Sequence, residues 1–263
     1  MLRTIEADQQ TGIDYDYGGK NQVEYILGEQ VLSPFVDEVY SRLQGLPPES
    51  IVLDLGGGAG RFPVHAPEAR PWRALGIDRD SVAIAQAQQA IGPQDRAIVG
   101  DITRLRELSF PEGMDPEQVA AAVSHRVLHA VPLVLQRPIV ESVAGVLPQG
   151  AEFYASVAAI NDWKAEALGA KPGEVHDAAP VMFGSFGVSR AKPFSMRFFD
   201  ADTMAGLVQG TGLRIEGVST FTEPSGYAHI PHKNTYLAFM LRKTGSANGA
   251  PRSGVAYAAN GTR

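Results

Sequence analysis

The chain has 263 residues, 44% of them apolar and 20% charged, a composition that suits a globular enzyme with a sizeable core. Its 23 basic and 29 acidic side chains leave a net charge of −6, which gives no electrostatic footprint for nucleic acid. Cysteine is absent, and this excludes disulfides, thiolate-bound zinc, iron–sulfur clusters and a thiol nucleophile.

The opening MLRTIEADQQTG lacks the apolar centre of a secretory signal, so the cytoplasm is the expected compartment. No apolar run reaches the roughly 18 residues of a membrane span, and no membrane partner is expected. Residues 1–50 read as an N-terminal helical cap segment. Residues 21–43 should be helical in two pieces. Asn21 can cap the first, while Ser33 is placed as N-cap of the second with Pro34 at its first position. Phe35, Val36, Val39, Tyr40 and Leu43 then share one helical face, and Gly45, Pro47 and Pro48 end the segment.

From residue 51 to 243, short apolar runs alternate with helical stretches. Strands are expected at 51–55 (IVLDL), 73–77 (RALGI), 97–99, 119–124 (VAAAVS), 151–157 (AEFYASV), 213–219 and 235–241 (TYLAFML). The run at 119–124 is the weakest strand signal, because alanine favours helix. Helices are expected over 58–67, 80–91, 133–147 and 200–210, with Asp80 capping the second and Pro138 starting a helical piece inside the third. This alternation implies an α/β fold with a parallel sheet covered by helices on both faces. The last two strands are joined without a clear helix and should pair antiparallel at one edge.

Two segments break the pattern. Residues 158–197 are too long for an ordinary crossover connection and read as an inserted lid or binding element between the fifth strand and the next helix. Residues 244–263 are small and polar and read as a disordered tail.

The sharpest local signal is VLDLGGGAG at 52–60. A buried strand runs into Gly56, Gly58 and Gly60 and then into a helix, whose free N–H groups face any ligand. A dinucleotide fingerprint would need its third glycine one place later. Asp54, two places before the first glycine, would repel a pyrophosphate and attract an ammonium group. A second acid, Asp78, closes the next strand in Gly76-Ile77-Asp78 and suits two ribose hydroxyls. A third, Asp101, follows the third strand in Val99-Gly100-Asp101-Ile102. It can accept from an adenine amino group, with Ile102 against the ring. Each aspartate alone reads equally as a cap or turn residue. Three at successive strand ends beside a glycine loop mark the ligand edge of an open α/β sheet.

VLDLGGGAG, GID and VGDI resemble motifs I, II and III of the class I S-adenosylmethionine-dependent methyltransferases. The similarity extends through AAVSHRVLHAV at 121–131, VLPQGA at 146–151, the stretch 198–213 and the last strand at 236–243, so it covers about residues 20–243. The family's frequent acid before strand four is replaced by Gln118. The resemblance implies a Rossmann-like, seven-stranded, mostly parallel sheet with an antiparallel last pair, and S-adenosylmethionine as cofactor. It also implies roles for particular residues. Asp54 and the backbone of Gly56, Gly58 and Gly60 would hold the amino-acid end, Asp78 the ribose, and Arg79, Asp101 and Ile102 the adenine. The backbone at Ser124 would lie near the methionine moiety, and Tyr17 in the N-terminal segment would close over the cofactor.

Methyl transfer from a sulfonium is an in-line displacement that positioning alone can promote, and a base is needed only where the nucleophile keeps its proton. His125 and His129, just after strand four, are the candidates for base or substrate contact. Their spacing puts both on one face of a helix, if the segment is helical. That spacing also resembles a metal pair, but no third ligand is evident and no metal is expected. His229 and His232 lie in the loop before the last strand. Trp163, Met182, Phe183, Phe186, Phe194, Met196 and Phe198 suit either an apolar or aromatic small-molecule substrate or the insertion's own core. The resulting expectation is methylation of an oxygen or nitrogen on a small molecule, with oxygen favoured by the histidines. A cofactor-binding enzyme that does not methylate and a nicotinamide-dependent oxidoreductase are the alternatives. A homodimer is compatible with the sequence.

Overall fold

The computed structural model describes residues 33–177, 195–224 and 233–245. Tyr17, the first helical piece expected from residue 21, His229 and His232, and Met182, Phe183, Phe186 and Phe194 of the insertion lie outside the described residues, as does the tail from 246.

The chain begins with α1 (Pro34–Leu43). Phe35, Val36, Val39, Tyr40 and Leu43 are all buried, as their helical spacing predicts, and each contributes about 1.5–3 kcal/mol of transfer free energy. Ser33 is the N-cap residue and Pro34 follows at the first position as expected, but the Ser33 hydroxyl makes no cap hydrogen bond; Pro34 already removes one donor that would need a partner. Then follow β1 (Ser50–Leu55), α2 (Arg61–Val64), β2 (Trp72–Asp78), α3 (Ser81–Ala90), β3 (Arg96–Val99), a 3-10 segment over Ile102–Glu107 and a short one over Pro116–Gln118. The second half runs β4 (Val119–His125), α4 (Leu133–Val146), β5 (Glu152–Ala158), α5 (Trp163–Leu168), β6 (Val175–Asp177), β7 (Ser195–Arg197), α6 (Ala201–Val208), β8 (Leu213–Pro224) and β9 (Lys233–Lys243).

Seven strands form one sheet in the order β3-β2-β1-β4-β5-β9-β8. The first five are parallel to one another, while β9 runs antiparallel to both β5 and β8. All seven expected strands are present, with β8 and β9 extending further than their apolar runs. The alanine-rich β4 is a strand because it is central: Ala121, Ala122 and Val123 are almost fully buried between β1 and β5, and packing overrides propensity.

One face of the sheet packs on the 3-10 segment, α4 and α6 through Ile102, Leu105, Ile139, Val140, Val143, Met204 and Leu207. The other packs on α1, with Phe62 and Trp72 beside it. α3 covers Ala97 at the far end through Ile84 and Ala87. Asp80 caps α3 as expected, accepting from the backbone N–H of Val82 (2.8 Å) and Ala83 (3.1 Å). The helix expected over 58–67 shrinks to α2, since Gly60 precedes it with φ +83° and Pro63 withholds a donor. α4 runs unbroken through Pro138 and does not restart there.

The described part of the insertion holds α5 and an antiparallel β6–β7 pair. Met196 and Phe198 are buried with Ala158 and Ala165 in a small separate core, so these two of the insertion's large apolar residues build its own interior. No described helix is long and apolar enough to cross a membrane.

Candidate functional site

Asp54, Asp78 and Asp101 stand at the carboxyl ends of three adjacent strands, with Ser124 and His125 at the end of the fourth. The glycine loop is tied to β2 by the Gly56 N–H, which donates to the Ile77 carbonyl at 2.8 Å. Gly56, Gly58 and Gly60 all have positive φ. The space around them differs. A Cβ on Gly60 would lie 3.0 Å from both Ala87 Cβ and Ile91 Cγ2, so this glycine serves the packing of α3. A Cβ on Gly58 would meet nothing within 4 Å, so its backbone borders open space at the sheet edge. Gly57 is constrained as well, because a Cβ there would lie 2.3 Å from Asp54 Oδ2.

Asp54 is buried, and its Oδ2 has no hydrogen-bond partner among the described residues. Burial, reinforced by the charge of Asp78, pushes its carboxyl up to about 7. Asp78 accepts from the Gly58 N–H (2.9 Å) through Oδ2 and from the Asp80 N–H (2.9 Å) through Oδ1, bracing the loop against α3. A carboxylate has about four acceptor positions, so two remain for a ligand. Asp101 accepts from the backbone N–H (2.9 Å) and hydroxyl (2.8 Å) of Thr103 through Oδ1, which makes it the N-cap of the 3-10 segment. The Ile102 side chain is buried in the main core with Leu105. Arg79 is exposed beside Asp78. Ser124 is fully buried, with a hydroxyl oxygen that has no partner among the described residues.

The two histidines do not share a helical face. His125 ends β4 and His129 lies in the following turn, where Arg126 takes φ +63° and the Ala130 N–H donates to the Val127 carbonyl. His125 Nδ1 lies 2.7 Å from Ser156 Oγ, and its ring stacks on Phe35 at 5.2 Å between centroids. His129 is buried beside Tyr236, which in turn stacks on Phe221. Burial, followed by the charges of Lys164 and Arg126, lowers His129 to about 3. Burial, followed by the charge of Arg126, holds His125 well below the usual imidazole range. Among the described residues no three His, Cys, Asp or Glu side chains gather where a metal ion would fit.

The sequence pattern missed several groups around these rings. Arg126 pairs with the buried Glu223 and lies over the Tyr236 ring at 4.9 Å. Lys164 is buried with Asp162 (2.7 Å) and donates to Asn234 Oδ1 (2.7 Å). Its ammonium is depressed by burial against the opposing pull of Asp162. Asp162 Oδ2 also accepts from the Thr235 N–H at 2.6 Å, so the cluster latches α5 to β9. The links that join these groups carry no local signal, because Glu223, Asn234 and Thr235 lie far along the chain from Arg126, Lys164 and Asp162. A concavity at the opposite, amino end of the sheet, lined by Pro47, Pro48, Ser50 and Pro148, holds no comparable group of titratable side chains.

Known structures decide the fold. The chain matches a Burkholderia thailandensis 1,6-didemethyltoxoflavin N1-methyltransferase with a TM-score of 0.60 at 16% identity, covering 93% of each chain. That enzyme holds 1,6-didemethyltoxoflavin and S-adenosylhomocysteine. This is the class I methyltransferase fold. A magnesium protoporphyrin IX methyltransferase from Synechocystis, with bound S-adenosylhomocysteine, matches with a TM-score of 0.58 at 16% identity, over 87% of this chain and 97% of the other. A Methanosarcina mazei S-adenosylmethionine-dependent methyltransferase matches at 0.56 and 18% identity, over 82% of this chain and 99% of the other. No family model and no curated protein matches the sequence. In the methyltransferase fold the three aspartates and the glycine loop occupy the carboxyl edge of the parallel strands, where open α/β sheets bind ligands.

Proposed function

We propose that the chain is an S-adenosylmethionine-dependent methyltransferase that acts on an oxygen or nitrogen of a small molecule. The observation that carries this reading is the row of Asp54, Asp78 and Asp101 at three adjacent strand ends, around a glycine whose backbone borders open space. The residues fit that cofactor. Asp54, with its buried unpartnered oxygen, would face the α-ammonium group; Asp78 would take ribose hydroxyls on its two unused acceptor positions; Asp101 would accept from the adenine amino group. A nicotinamide dinucleotide fits less well, since a pyrophosphate on this loop would sit beside the Asp54 and Asp78 carboxyls. When bound, S-adenosylmethionine supplies an electrophilic methyl group on a sulfonium. The chain's part is to bind, orient and exclude water. The aromatic side chains Phe35, Phe221 and Tyr236 beside the two histidines support a planar or apolar acceptor. Burial leaves both imidazoles neutral and weakly basic, so the preference for oxygen that rested on a histidine base loses its support.

Calorimetric titration with S-adenosylmethionine, S-adenosylhomocysteine and NAD tests the cofactor. The first two should bind, and Asp78→Ala should weaken them at least tenfold, roughly 1.4 kcal/mol or more, by removing a charged acceptor. Preference for NAD, or identical affinity in the variant, would overturn the assignment.

A further inference from the structure

β4 and β5 are paired so that His125 lies opposite Ser156. Ser156 is fully buried. Its Oγ is 3.0 Å from the backbone nitrogen of Arg126 and 2.7 Å from His125 Nδ1. A backbone N–H only donates, so Oγ accepts from Arg126. The hydroxyl has one proton to place, and His125 Nδ1 is the acceptor the described residues offer it. A buried hydroxyl proton is rarely left unpaired, so it goes to the Nδ1 lone pair. The ring is neutral, because burial and the Arg126 guanidinium disfavour a second proton. Its single proton must then reside on Nε2. Nε2 is buried and has no hydrogen-bond partner among the described residues. Phe35 covers a face of the ring, and Nε2 is the polar atom of the ring that no described residue uses.

We propose that Ser156 is a positioning residue that fixes His125 as the Nε2–H tautomer, so that His125 donates a hydrogen bond to the acceptor molecule instead of removing its proton. The inference rests on reading the carboxyl end of β4 as the acceptor pocket. It narrows the substrate class. The acceptor molecule presents a carbonyl, a carboxylate or an unprotonated ring nitrogen to His125, and its attacking atom needs no proton taken by this ring.

The tautomer is visible by long-range proton–nitrogen correlation spectroscopy on the full-length 15N-labelled chain, with the His125 signals assigned through His125→Gln. In the wild type, Nδ1 should resonate as an unprotonated and Nε2 as a protonated ring nitrogen. Ser156→Ala should give averaged shifts from mixed tautomers, and Ser156→Thr, which keeps the hydroxyl, should restore the wild-type pattern. A protonated Nδ1 in the wild type overturns the proposal, and so does a pattern unchanged in Ser156→Ala. If Ser156→Ala does not fold, the wild-type spectrum alone decides. The experiment contains no cofactor, so its failure is separate from failure of the cofactor titration.

Discussion

At the scale of single residues, the informative group is a carboxyl held where it is costly to ionise. Asp54 is buried beside Asp78 and titrates near 7, well above the 3.8 of a free aspartate. Between those values the folded chain keeps a proton that the unfolded chain releases. This group's contribution to stability therefore falls as pH rises from about 4 to about 7 and is flat beyond. Raising this carboxyl from 3.8 to about 7 corresponds to roughly 4 kcal/mol at most. Asp54→Asn removes the dependence. Urea unfolding at pH 4, 6 and 8 should show the variant gaining on the wild type across this window, with the full difference reached by pH 8. Parallel pH dependence in the two proteins would show that Asp54 is not held protonated. The buried histidines oppose this trend, since below about 6.5 the unfolded chain binds protons that neutral His129 refuses, and comparing the two proteins at each pH cancels that term. The cost tolerated at Asp54 has a functional reading: a ligand ammonium would neutralise it, which solvent cannot do inside the sheet.

At the scale of elements, the glycine turn between β1 and α2 separates two jobs that one motif conflates. Gly58→Ala places a methyl in open space at φ +53°, a left-handed conformation that costs about 1–2 kcal/mol. Gly60→Ala adds contacts of 3.0 Å to Ala87 and Ile91 on top of its own positive φ, for about 2–4 kcal/mol in all. Thermal unfolding should rank Gly60→Ala as the less stable variant. Binding of S-adenosylhomocysteine should instead suffer more in Gly58→Ala, by at least tenfold, since the methyl would occupy the ligand's approach. The opposite ranking in binding would remove Gly58 from the site. Strands and the glycine loop were legible in the sequence because buried parallel strands read as continuous apolar runs and their ends expose the acids. The β6–β7 pair was not, since VHD and SMR carry no apolar alternation. Nor were Ser156, Lys164 and Glu223, whose partners lie 30, 70 and more residues away in the chain and meet only through the sheet order.

At the scale of the molecule, the question is how the insertion is held against the sheet it leaves and re-enters. Arg197 on β7 makes the connection. Its backbone N–H donates to the His129 carbonyl (2.8 Å), its Nε to the Gly173 carbonyl (3.0 Å) and its guanidinium to Gln136 Oε1 (2.6 Å), while the same group lies over Phe199 at 5.0 Å. Gln136 is fully buried on α4 and reaches back to the Val131 carbonyl. Through its side chain and its backbone, this one residue joins the insertion, the first turn of α4 and the turn that carries His129. Arg197→Ala would leave Gln136 Oε1 buried without a partner, at a cost of about 1–3 kcal/mol, and the lost packing on Phe199 would add to it. Arg197→Lys should not restore the loss, since an ammonium cannot span the Gly173 and Gln136 oxygens as the planar fork does. The backbone bond to His129 survives both changes, so the turn should loosen rather than detach. Hydrogen exchange reads this directly: amides of 127–131 and 163–168 should exchange at least tenfold faster in Arg197→Ala, with those of β1 and β2 changed far less. Acceleration spread evenly over the sheet would mean that Arg197 supports the whole fold and does not couple the insertion to the histidine turn.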